Sequence, residues 1–209
     1  MKTGNSSSFK WLYVAVPAIL LIGITVFGSI SEAYASEDAE AKTLIVYYSK
    51  TGSTKTACQI IKRAYHADVV EIKDMVDRFT TWGTITGMIY SLLGWHTDIK
   101  PESVDITPYK RIVIGTPIWG GTFPPAIRTL VETHDFQGKD VAIFSTSTDV
   151  INREYQDEMK ETVTAANGKV VGYFQIQADR KVDDEKQKKS NEEIEKETGE
   201  VVVEMRKAF

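Results

Sequence analysis

The chain has 209 residues, a formal net charge of −4, three histidines and one cysteine. That balance gives no electrostatic basis for nucleic-acid binding and suits cationic protein partners better. A single thiol excludes an intramolecular disulfide and a thiolate cluster, and His66, His96 and His134 lack ligand spacing, so no metal is expected.

Residues 11–30 read WLYVAVPAILLIGITVFGSI, a run of 20 without a charge. A helix needs about 20 apolar residues to cross a bilayer, so the run predicts an N-terminal hydrophobic helix. Lys2 and Lys10 precede it, which keeps the amino terminus cytoplasmic and sends the rest to the extracytoplasmic side. Two fates stay open. Ala33-Tyr34-Ala35 has the small-x-small pattern of a signal-peptidase site, which would release a secreted domain from Ser36. The run also exceeds the about 7–15 apolar residues of a signal peptide, which favours a retained membrane anchor. The chain therefore divides into residues 1–35 (signal peptide or transmembrane anchor), a short acidic linker over 36–42, and a domain over 43–209.

From residue 43 onward, apolar runs alternate with amphipathic stretches. Residues 43–48 (TLIVYY) predict a buried parallel strand, and 54–64 a helix with Ala57, Ile60, Ile61 and Ala64 on one face. Cys58 falls inside that helix as a small core residue. A second strand follows at 68–72. The segment 79–95, FTTWGTITGMIYSLLGW, is unusually apolar for a connection and reads as a helix packed on the sheet. Strands at 110–116, 140–145 and 169–177 come next. Between them lie a helix over 125–133, opened by Pro124 and Pro125, and one capped by Asn152 that turns Tyr155, Met159, Val163 and Ala166 inward. The charged tail ends in a helix with Ile194, Val201, Val202 and Met205 in one stripe, its charges a solvated face. Five strand–helix cycles predict an α/β fold: a three-layer, doubly wound, five-stranded parallel sheet.

In such folds ligands bind beyond the carboxyl ends of the strands. After the first strand come Ser49-Lys50-Thr51-Gly52-Ser53-Thr54, leading straight into a helix. Hydroxyls, a flexible glycine and free amides at a helix start make an anion cradle, although neither the P-loop nor the GxGxxG pattern is present. After the third strand, Thr116, Pro117, Ile118, Trp119 and Gly120 put an indole on a Gly/Pro-rich loop, a platform suited to a planar ring. After the fourth, Ser145, Thr146 and Ser147 are small and polar, able to bond a ring edge, and residues 145–149 hold no aromatic.

At these residues the chain resembles the flavodoxin family. The match is S/T-x-T-G-x-T at Ser49, Thr51, Gly52 and Thr54, with IGTPIWGGTFPPAIRTL over 114–130. The resemblance implies a non-covalent flavin mononucleotide (FMN), its phosphate on Ser49, Thr51, Gly52, Ser53 and Thr54. The flavin ring would lie against residues 116–120 and 145–149, with 79–95 beside it. It further implies electron transfer between redox protein partners. An NAD(P)H-dependent quinone or aromatic reductase is a second possibility, and a flavin-free partner-binding module a third. If the anchor is retained, residues 11–30 make the membrane a partner as well.

Overall fold

The computed structural model of the protein describes residues 41–182 and 185–209. The expected helix over 11–30, the segment 31–35 and most of the linker lie outside the described residues. Among the described residues, no helix is long and apolar enough to cross a membrane. Lys42–Phe209 forms one compact unit.

Its elements run β1 (Thr43–Tyr47), α1 (Ser53–Tyr65), β2 (Asp68–Glu71), β3 (Lys73–Asp74), α2 (Thr81–Leu92), β4 (Ile99–Lys100), β5 (Arg111–Pro117), α3 (Pro125–Thr133), β6 (Asp140–Ser147), α4 (Arg153–Ala165), β7 (Lys169–Gln177), β8 (Asp179–Val182), β9 (Glu185–Lys188) and α5 (Asn191–Ala208). Five strands form one sheet in the order β2-β1-β5-β6-β7, every pairing parallel. The chain moves from β1 outward to β2 and then returns to β5 on β1's other side. The strand order therefore reverses between β1 and β5, where such sheets open a crevice at their carboxyl edge.

Alternation along each strand splits the core in two. Leu44, Val46, Ile112, Ile114, Val141 and Ile143 face α3 and α4, meeting Ile127, Leu130, Met159 and Val163. Ile45, Val113, Ala142 and Phe144 face α1 and α5, meeting Ala57, Ile61, Ile194, Val202 and Met205. The near-continuous apolar strands follow from this burial on both faces. Cys58 belongs to the second cluster, fully buried, and burial pushes its thiol well above the ordinary range.

Four features depart from the sequence reading. β6 runs two residues further than expected, to Ser147, so Ser145, Thr146 and Ser147 end a strand rather than form a loop. Tyr155 is exposed instead of joining Met159 and Val163 in the core. The excursion between β2 and β5 carries a small antiparallel pair, β3–β4. The tail holds an antiparallel hairpin, β8–β9, ahead of its helix.

His134, at the end of α3, accepts a hydrogen bond from the Val104 amide at Nε2 (3.0 Å). Burial lowers its pKa below the ordinary imidazole value. Protonation therefore favours the unfolded chain. The stability this residue contributes is present above the unfolded pKa of about 6.5 and is lost as pH falls through the lower folded value. The melting temperature of the domain should drop on acidification from about pH 7 to 5, and His134→Asn should flatten part of that slope. Parallel slopes in the two proteins would remove His134 from the account.

Candidate functional site

The reversal crevice is built first by the β1–α1 connection. Gly52 is the N-cap of α1 at a φ of 97° and has no side chain to close the helix end. Ser49 does so instead: its Oγ accepts from the Gly52 amide and the Lys55 amide, each at 3.2 Å. The first turn of α1 carries no acidic residue, so nothing offsets the positive end of the helix dipole. Ser53 and Thr54 are buried. Thr54 Oγ1 lies 2.8 Å from Thr146 Oγ1, tying the cradle to the end of β6. Ser53 Oγ is buried and has no hydrogen-bond partner. Buried hydroxyls are nearly always paired, so an unpaired one inside an amide-rich loop marks a ligand-facing donor. The loop thus fits an anionic phosphate group on both its charge and its unused donor.

Two basic residues not picked out in the sequence sit on this loop. Lys50 Nζ donates to Thr84 Oγ1 of α2 at 2.6 Å and lies 5.6 Å from the centre of the Trp119 ring. Lys188, from the β8–β9 hairpin, donates to the Thr51 carbonyl at 2.8 Å. The same hairpin reaches the loop after β6, where Lys186 Nζ meets Asp149 Oδ2 at 2.6 Å. A polar ribbon of this kind has no apolar periodicity, which is why the sequence pattern did not disclose it.

The second wall is the loop after β5. Thr116 is fully buried, and the Ile118 amide donates to the Thr146 carbonyl at 3.1 Å, so this loop also converges on the end of β6. Trp119 and Thr122 exchange backbone hydrogen bonds around Gly120 and Gly121. Both glycines hold positive φ, 59° and 90°, the geometry of a two-residue type I′ turn. The indole of Trp119 is partly buried, set edge-on to Tyr48 with ring centres 5.9 Å apart. It also rests on Gly87 of α2, where an added Cβ would fall 2.5 Å from the ring. On the other side of the turn, Tyr155 covers Gly121, within 2.9 Å of where a Cβ would stand. The site therefore carries an aromatic on each side of the turn, the second supplied by the start of α4.

The third set of residues divides by strand alternation. Thr146 faces α1 and joins the cradle. Ser145 turns to the opposite face, its Oγ 2.7 Å from the Tyr173 hydroxyl. Burial pushes the Tyr173 hydroxyl up to about 12, so it stays protonated. Ser147 accepts from Gln175 Nε2 at 2.6 Å, which orders the turn after β6. Of the expected site residues, Ser49, Thr51, Gly52, Ser53 and Thr54 lie on the loop after β1 and the start of α1, Thr116, Pro117, Ile118, Trp119 and Gly120 at the end of β5 and on the loop after it, and Thr146 at the end of β6, bonded to both Thr54 and Ile118. Ser145 and Ser147, also on β6, are instead bonded to Tyr173 and Gln175 of β7. A separate surface groove lies between β7 and α5, and Glu197, Glu200 and Glu204 make it unsuited to an anion. Among the described residues no acidic, histidine or cysteine cluster is placed to hold a metal.

A doubly wound sheet with a hydroxyl-rich anion cradle after its first strand, and aromatics on the neighbouring loop, defines the flavodoxin-like class. A family model described as Flavodoxin matches residues 95–197. Two flavodoxins from strains of Nostoc sp. are 25% identical to the chain over 138 residues, covering 62% of this chain and 68% of each relative. A flavoprotein from Lactobacillus acidophilus, solved in complex with FMN, shares the fold with a TM-score of 0.57. It is 26% identical, over 65% of this chain and 93% of that one. A structure from Bacteroides eggerthii has the same fold, with a TM-score of 0.55 and 22% identity over 78% of this chain and 99% of its own. Over these stretches the chain is similar to the flavodoxin family.

Proposed function

We propose that this protein binds FMN at the β1–β5 crevice and carries electrons between redox protein partners on the extracytoplasmic side of a membrane. The observation that carries the reading is Ser53: a buried hydroxyl without a partner, in an amide-rich loop at the positive end of α1. The Lactobacillus flavoprotein of the same fold is in complex with FMN, which supports the choice of ligand. Ser49, Thr51, Gly52, Ser53 and Thr54 would hold the phosphate. The 116–120 loop, Trp119 and Tyr155 would border the ring. The flavin supplies the redox chemistry, and the protein supplies binding, orientation and field. The location rests on the uncharged run at 11–30 with lysines before it.

The test separates ligand from fold. Ser53→Ala removes a group that bonds nothing in the ligand-free protein, so urea unfolding of the free variant should match the parent. Its FMN affinity, read by flavin absorbance and tryptophan quenching, should fall by about 10- to 100-fold, the value of a hydrogen bond to a charged group at about 1.5–3 kcal/mol. Unchanged affinity would place the phosphate elsewhere. No flavin uptake by the parent would overturn the redox reading and leave a partner-binding module.

A further inference from the structure

Helix α2 is inverted relative to an ordinary surface helix. Its buried positions are Gly83, Gly87 and Ser91, one turn apart, and they let the helix lie close on the domain. Its large apolar side chains point outward. Phe79 is 77% exposed, Trp82 74% and Leu92 65%, with Ile85, Ile89, Leu93 and Trp95 also exposed. Trp82, Ile85, Ile89 and Leu92 follow the helical repeat and share one face. Residues 79–95 carry no charge at all, in a chain with 26% charged residues. A contiguous exposed apolar face of this kind marks an interaction surface.

We propose that this α2 face docks on the lipid bilayer to which the chain is tethered. The inference rests on the retained-anchor reading of residues 11–30. Three observations favour lipid over a protein partner. The face carries exposed Trp82, with exposed Trp95 just beyond the helix, and tryptophans prefer the membrane–water interface. It offers no charge for pairing with a protein's polar rim. The twelve residues 31–42 between the apolar run and the domain can extend to about 40 Å, enough to keep the domain at the membrane surface. Docking has a consequence for the site. Leu92 approaches Gly120, Gly87 seats Trp119 and Thr84 takes Lys50, so the same helix is the outer wall of the crevice. Seated on lipid, that rim of the site faces the bilayer surface.

The test uses the uncleaved full chain in phosphatidylcholine–phosphatidylglycerol vesicles. Cys58 is the only cysteine and is fully buried, so new cysteines label selectively. Nitroxides are placed one at a time through Phe79→Cys, Ile85→Cys and, on α5 across the sheet, Lys196→Cys. Collisions with a water-soluble nickel chelate should fall several-fold at 79 and 85 relative to 196, and collisions with dissolved oxygen should rise there. Equal nickel access at all three sites, in a chain that floats with the vesicles, overturns docking while the anchor stands. A chain that does not float with the vesicles overturns both. Protection that persists in detergent with a doubled mass assigns the face to a second copy and overturns docking on lipid. Flavin absorbance in the same samples reports on the FMN reading separately.

Discussion

Asp74→Ala should destabilise the Lys42–Phe209 unit by about 3–5 kcal/mol, the cost of leaving one member of a buried ion pair alone. The Asp74 and Arg78 side chains are only 3% and 2% exposed, with Arg78 Nε 2.8 Å from Asp74 Oδ2. The carboxylate also accepts from the Val76 amide and the Thr97 hydroxyl, each at 2.9 Å. Arg78 in turn donates to Thr86 Oγ1 of α2 at 3.1 Å and lies over the Tyr90 ring, while its Nη2 is already without a partner. Removing the carboxylate strands a guanidinium that has no route to water. The pair also joins β3, the approach to β4 and α2 into one structure. Protection from amide exchange should therefore be lost first across residues 73–100, with the midpoint of urea unfolding shifted down. Replacing both partners, as Asp74→Leu with Arg78→Met, should cost less than the single change, because no buried charge remains. A double variant weaker than Asp74→Ala would show instead that the pair contributes net stability.

The sheet was legible because each strand is buried on both faces and so reads as an unbroken apolar run. The 114–130 segment was legible because Gly, Pro and Trp sit where a turn, a helix start and an aromatic are needed. The rest depended on side-chain direction. Ser145 and Ser147 share the polarity of Thr146, but strand alternation sends them toward Tyr173 and Gln175 and only Thr146 toward Thr54. In 79–95 nearly every position is apolar, so hydropathy defined no inward face. The informative signal was the spacing of Gly83, Gly87 and Ser91, which shows where the backbone approaches the domain. Tyr155 continues the periodic stripe of α4 but stands at its first turn, where the core has ended and the glycine turn begins. Lys188 arrives from a charged hairpin that the composition describes as solvent-facing. The contacts of Lys186 and Lys188 show that this hairpin caps the loops after β1 and β6.

The crevice loops are only as rigid as their attachment to the core, and Phe123 tests that link. It follows the Gly120–Gly121 turn, is fully buried in the cluster with Ala126, Ile127 and Leu130, and anchors the loop before α3 begins. Phe123→Ala should cost about 3–5 kcal/mol through lost burial and the cavity left behind. Phe123→Leu, which keeps most of the volume, should cost less than about 1.5 kcal/mol. A second tie exists, since Arg128 Nη2 donates to Thr122 Oγ1 at 2.9 Å and Nη1 to Glu132 Oε1 at 2.9 Å. If Phe123 sets the position of Trp119 and the turn, FMN affinity measured where both variants remain folded should fall for alanine and hold for leucine. Affinity that holds in both variants would assign the turn's position to Arg128 and leave Phe123 a role in the core alone. Loss in both would mean that ring binding depends on the aromatic itself rather than on the volume it fills.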